Sequence, residues 1–144
     1  MYSIDYLKYR GFNYDWIFAP QVTSPMREPI DIKNGLLMAK SGVWDSLFAA
    51  TKTDQCSLWK RGKKGLESIG YDYKKRKRRQ DNEIQYIENG SFYIFKPGLI
   101  KKYNNRMYGN IGIVPMDRWK SFEIDSIDDF KLCSLVMKEY MLKK

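Results

Sequence analysis

The chain reads Tyr14-Asp15-Trp16-Ile17-Phe18-Ala19, then a polar loop from Pro20 to Pro29, then a helical pattern to Lys40, then Asp45-Ser46-Leu47-Phe48-Ala49-Ala50-Thr51. Both flanking runs are apolar and bounded by turn signals, as expected for strands buried in a parallel sheet. Pro29 suits a first helical turn, and Gly42 lies where a helix C-terminus favours glycine. Strand, loop, helix and strand make a βαβ unit, which predicts an α/β fold with a mostly parallel sheet and a right-handed crossover. The loop from Pro20 to Pro29 then sits at the carboxyl end of a central strand, where open α/β sheets bind ligands.

Outward from this unit, Ser3 to Arg10 reads as a short helix closed by Gly11. Gln55 to Ile69 reads as a hairpin turning near Lys63, Lys64 and Gly65. Ser91 to Phe95 is a strand, Pro97 to Tyr103 a short helix, Tyr108 to Val114 a strand and Ser121 to Asp125 a brief strand. Ser126 with Asp129 forms a capping box for a last helix, whose Phe130, Cys133, Met137 and Tyr140 recur at core-facing spacings. No linker or internal repeat interrupts the pattern, so residues 1–144 are expected to form one α/β domain or a large part of one.

Hydrophobic residues at 43% and aromatics at 15% provide for a packed core and exclude a disordered chain. No apolar run is long enough to span a bilayer, and the opening residues carry no signal-peptide pattern. Cys56 and Cys133 fit neither a disulfide framework nor a zinc motif, so buried, reduced thiols in a cytoplasmic protein are expected. The chain contains no histidine, which excludes a histidine-activated nucleophile, a histidine general base and a histidine metal site. Chemistry must rest on carboxylates, Lys and Arg, amides, hydroxyls or an oxygen-bound metal. Phosphoryl or nucleotidyl transfer suits that set, because it needs positioning and charge neutralisation more than covalent help. The net charge of +9 favours anionic partners.

Six cationic residues run from Lys74 to Arg79, followed by Gln80 and Asp81. Beyond them, Glu88-Asn89-Gly90 leads into the strand from Ser91. A cationic loop delivered to a strand edge presents guanidinium groups to a carboxylate or phosphate. Asn89-Gly90 is a tight-turn signal that would place Asn89 at the strand mouth, its amide facing a ligand. By composition alone the basic run reads as a solvated charge cluster, ahead of a nuclear-localisation or nucleic-acid patch. Tyr71 and Tyr73 flank it without interleaving, which argues against nucleic acid. By spacing alone, Glu123 and Asp125 read as solvent-facing acids on one side of a strand end.

Arg78-Arg79-Gln80-Asp81, followed by Glu88-Asn89-Gly90-Ser91-Phe92-Tyr93-Ile94, resembles the acylneuraminate cytidylyltransferases, the CMP-sialic acid synthetase family. Gln21-Val22-Thr23-Ser24-Pro25-Met26-Arg27 resembles that family's Gln-Pro-Thr-Ser-Pro-Leu-Arg, and Glu123-Ile124-Asp125 its Asp-Ile-Asp metal motif. The resemblance runs from about Tyr14 to Lys131 in motif order. It implies a three-layer, Rossmann-like nucleotide-diphospho-sugar transferase fold, and an enzyme that joins CTP to a nine-carbon sugar acid with release of pyrophosphate. It implies Mg²⁺ held by Asp125 and Glu123, with Asp125 and Arg79 catalytic. Gln21, Thr23, Ser24, Arg76, Arg79, Gln80 and Asn89 would contact substrate. A homodimer is implied as well, with residues 55–85 as dimerisation arm and basic substrate loop. Two positions depart from the family: Glu123 stands where it has Asp, and Val22 where it has Pro. Nothing before Tyr14 resembles the family's Gly-, Arg- and Lys-rich CTP loop, so the resemblance implies an N-terminally truncated, C-terminal portion that catalyses slowly or not at all, with a catalytically silent sugar-acid-binding or dimerisation partner as the alternative.

Overall fold

A computed structural model describes residues 2–53, 57–63 and 65–143, and for Arg79 the backbone only. The elements run α1 (Tyr2–Tyr9), β1 (Ile17–Pro20), α2 (Pro29–Lys40), β2 (Ser46–Thr53), β3 (Leu58–Gly62) and β4 (Gly65–Ile69). They continue with β5 (Gln85–Phe95), α3 (Pro97–Tyr103), β6 (Ile111–Met116) and α4 (Ile127–Tyr140). The chain divides into two compact units, Lys52–Ile87 and the remainder.

In the larger unit, helix α2 starts at Pro29, as the sequence predicts. Glu28 caps it, and Asp31 accepts a 2.9 Å bond back from the Glu28 amide, so two otherwise orphaned N–H groups are satisfied. The helix lies on a sheet of order β1-β5-β2-β6. Gly35 allows the close approach: a Cβ there would stand 2.8 Å from Ile94 Cδ1 and 3.1 Å from Phe92 Cε2. The core joins Ala39 to Leu47, Ala49, Phe92, Ile94, Val114 and Met116, with Trp16, Phe18, Met38 and Trp44 packed at its margin. Full burial of a side chain such as Phe92 or Leu47 is worth about 1.5–3 kcal/mol.

The sheet is mixed rather than mostly parallel. β6 runs parallel to β2, but β5 is antiparallel to β1, pairing Ile17 with Phe95 and Pro20 with Phe92. β5 lies between the two strands of the βαβ unit. A fully buried strand is a continuous apolar run whichever way its neighbours point, so direction is absent from the pattern.

Three further expectations are corrected. Asn89-Gly90 is not a turn between elements but lies inside β5, which begins at Gln85. The glycine signal is genuine, for Gly90 has φ +63°, yet it produces a kink within a continuous strand. Ser121 to Asp125 is irregular chain rather than strand, tied down by one backbone bond from Ile124 N to Thr23 O at 2.8 Å. In α4, Cys133 is buried, Met137 is half-buried, and Phe130 and Tyr140 are exposed. Tyr140 instead stacks on Trp119 at 5.1 Å between centroids. The Ser126 cap is present, accepting from the Asp129 amide at 3.2 Å. Burial pushes the Cys133 thiol above its ordinary value, so it stays protonated. Cys56 lies outside the described residues. Among the described residues no helix is long and apolar enough to cross a membrane.

In the Lys52–Ile87 unit, β3 and β4 pair antiparallel with Trp59 opposite Ser68, forming the predicted hairpin. Of the residues predicted for its turn, Lys64 lies outside the described residues. The basic run carries two short 3₁₀ turns, Tyr73–Lys75 and Arg79–Asp81.

Candidate functional site

The loop leaving β1 is held to the kinked stretch of β5 by backbone and guanidinium contacts. Gln21 N donates to Ser91 O at 3.0 Å, extending the β1–β5 pairing by one step. Arg27 donates to the Ser91 carbonyl, to Ser91 Oγ at 3.2 Å and to Gln21 O at 3.4–3.5 Å. Burial lowers the Arg27 pKa below its ordinary value, and the Asp31 charge opposes this, leaving the group cationic. Arg27 therefore acts as a brace that clamps the loop onto the strand.

That brace brings several motif residues together. Ser24 is buried, with its hydroxyl 3.5 Å from Glu123 Oε1. Gln21 Nε2 donates to Thr23 Oγ1 at 3.2 Å. A Cβ on Gly90 would overlap the Glu123 carboxylate and lie 3.3 Å from Gln21 Oε1. Gln21 and Glu123 thus meet at the bare backbone of Gly90, where only glycine leaves room, and Ser24 touches the Glu123 carboxylate. Asn89 is buried behind this point rather than placed at a strand mouth. Its Oδ1 accepts from Ser91 N at 3.2 Å, and its Nδ2 makes long contacts of 3.5 Å to Thr51 Oγ1 and Met116 Sδ. The Asn89 amide is therefore committed to internal partners.

Farther along β5, the Tyr93 hydroxyl donates to the Glu88 carboxylate, and the Arg106 guanidinium stacks 3.4 Å from the ring centroid. Burial, helped by the bond to Glu88, pushes the Tyr93 phenol up to about 12, with Arg106 opposing. A raised acid pKa stabilises the fold fully below the ordinary tyrosine value of about 10, and that contribution is lost as pH rises through the folded value. The phenolate absorbance developed up to about pH 11 should therefore be equal in wild type and Tyr93→Phe. Excess absorbance in the wild type would show that Tyr93 titrates normally.

Behind the loop, Lys120 is 3% exposed and its ammonium lies 2.8 Å from Glu28 and 2.8–2.9 Å from both Asp31 oxygens. Burial alone would lower its pKa, but the hydrogen bonds and charges of Asp31 and Glu28 outweigh that and hold it above the ordinary lysine value. This cluster joins the start of α2 to the turn at Arg118–Lys120 that leads into Glu123. The neighbouring Ser121 hydroxyl bonds to Thr51.

Asp125 is exposed, and its amide donates to Asp129 Oδ2 at 3.2 Å. Among the described residues no group of three or more His, Cys, Asp or Glu side chains gathers into a metal cluster. Glu123 and Asp125 supply hard oxygen donors of the kind Mg²⁺ accepts with water and phosphate completing its shell, so the donor set fits that ion. Arg76 and Gln80 lie exposed in the Lys52–Ile87 unit, and Arg79 opens the short turn Arg79–Asp81 of the same unit. Sequence reasoning quoted Arg27 only as the end of the loop motif, without a role, and assigned none to Lys120, Tyr93 or Arg106. Lys120 has no local signal, because Asp31 is 89 residues away in sequence.

No protein-family model matches the chain. Over 86 residues, 57% of its length, it is 33% identical to an N-acylneuraminate cytidylyltransferase of Oncorhynchus mykiss. The matched part spans 20% of that protein.

Proposed function

We propose that the chain carries the sugar-acid side of a cytidylyltransferase that joins CTP to a nine-carbon sugar acid of the sialic acid type and releases pyrophosphate. The observation that supports this most is the meeting of Gln21 and Glu123 at Gly90, with Ser24 against Glu123, since the Gln21–Ser24 loop, Gly90 and Glu123 come from three separate stretches of motif resemblance. The similarity to the trout enzyme supports the same reading. On this reading the mixed α/β sheet belongs to a three-layer, Rossmann-like sugar-nucleotide transferase fold, working as a homodimer in the cytoplasm.

Each group then has a task. The Gln21 amide and the Thr23 and Ser24 hydroxyls orient the sugar acid, with Asn89 holding the strand behind them. Arg76, Arg79 and Gln80 receive its carboxylate, a pairing that planar guanidinium groups make in bidentate fashion. Asp125 and Glu123 hold Mg²⁺, which when bound would offset the charge on the phosphates. The anomeric hydroxyl attacks the α-phosphate in line, and pyrophosphate leaves.

Pyrophosphate release by the purified chain, with CTP, Mg²⁺ and a panel of nine-carbon sugar acids, tests the reading. Release with one sugar, abolished in Asp125→Ala while calorimetric sugar binding persists, is the expected result. No release with any sugar would overturn it for this chain. Equal turnover in Asp125→Ala would overturn the metal assignment.

A further inference from the structure

The Lys52–Ile87 unit holds eleven Lys and Arg against five Asp and Glu, so a quarter of the chain carries +6 of the net +9. Only two arginines of this unit have a place in the proposed reaction. Lys60, Arg61, Lys63, Lys74, Lys75 and Lys77 have none, and all six are exposed. None of the described residues in this unit is buried, so it has no core of its own.

Its hairpin carries an aromatic cluster. The hairpin brings Trp59 of β3 against Tyr71 at 6.1 Å and Tyr73 at 5.2 Å between ring centroids. The three rings are separate in sequence but contiguous in the fold. Trp59 and Tyr73 keep about half of their surface open. The basic run starts at this cluster: Lys74 Nζ lies 5.8 Å from the Tyr73 ring centre, and Asp72 caps the turn that carries both. Exposed rings beside a run of cations combine stacking surfaces for bases with charge for phosphates.

We propose that the Lys52–Ile87 unit binds single-stranded nucleic acid, with bases stacked on Trp59 and Tyr73 and phosphates at Lys74, Lys75 and Lys77. A duplex hides its base faces and would use only the charge. A second copy of the unit would meet it with like charge.

The test is fluorescence anisotropy of the full chain with a labelled oligothymidylate of about twelve nucleotides, a length within the range that such sites cover. Heparin, which has charge but no bases, is the control ligand. Trp59→Ala should weaken oligothymidylate binding about 5- to 100-fold and leave heparin unchanged, whereas Trp59→Phe should retain most of the affinity. If about four phosphates are neutralised, affinity falls about 50-fold between 50 and 200 mM salt. The triple replacement of Lys74, Lys75 and Lys77 by Gln should flatten that dependence, a result that does not require the Trp59→Ala chain to fold. Absence of binding at 50 mM salt, equal losses for both ligands in Trp59→Ala, or equal affinity for duplex would each overturn the proposal. None of these outcomes depends on cytidylyltransfer.

Discussion

Replacing Lys120 with methionine should lower the folding free energy by about 3–5 kcal/mol, the usual cost of removing one partner from a buried ion pair. Methionine keeps the length and apolar stem of lysine but leaves the Glu28 and Asp31 carboxylates facing each other without the ammonium that lies 2.8 Å from each. Asp31 is 4% exposed, so water cannot readily take the place of the lost cation. Chemical denaturation checks this through a lower midpoint at unchanged slope. Restoring neutrality with Glu28→Gln and Asp31→Asn in the same chain should recover much of the loss, because a buried neutral cluster avoids the cost of unpaired charge. The folded pKa of Lys120 is raised, so its contribution is fully present below the ordinary lysine value of about 10.4 and is lost only as pH climbs through the higher folded value. The cost of the substitution should therefore be level from about pH 6 to 9. A loss under about 1 kcal/mol would mean that the cluster is solvated and structurally unimportant.

Gly90→Ala is the second large effect, and it combines two costs. The left-handed backbone at φ +63° costs an L-residue about 1–2 kcal/mol. The added methyl also falls on the Glu123 carboxylate, which must swing away from Ser24. Stability should fall and, on the proposed function, pyrophosphate release with it, because Glu123 leaves its place. The two costs separate in a Glu123→Ala background, where the methyl meets only Gln21 Oε1 at 3.3 Å and the backbone term dominates. The stability loss from Gly90→Ala should be smaller there, a coupling expected of contacting residues. Equal losses in both backgrounds would show that Gly90 and Glu123 do not meet.

The sequence was legible where its signals are local. Pro29 and Pro97 mark helix starts, and α2 and α3 begin at those residues. The hairpin of β3 and β4 follows from its flanking runs and the Gly65 turn. Gly90 was read as a position needing an unusual backbone, which it is, but local chemistry does not say whether the chain then reverses or only kinks. Sheet direction was hidden because Phe92 and Ile94 look alike in either orientation. Gln21, Ser24 and Glu123 could be grouped only through motif order, since nothing along the chain measures the distance between the loop after β1 and the segment before α4. Lys120 was invisible for the same reason: its chemistry resides in a meeting of α2 with a distant turn. The α4 pattern misled because aromatic residues at helical spacing mark a face without saying that anything covers it.

Asn89 and Thr51 touch across a contact of 3.5 Å, and they stand where the chain leaves the larger unit and where it returns. The 52–87 segment is thus a detour whose exit and entrance are side by side, so the ends need almost no slack to be joined. A short turn in its place would lower the net charge from +9 to +3 and remove no residue of the core. Most of the charge and all of the buried apolar framework thus lie in separate stretches of the chain.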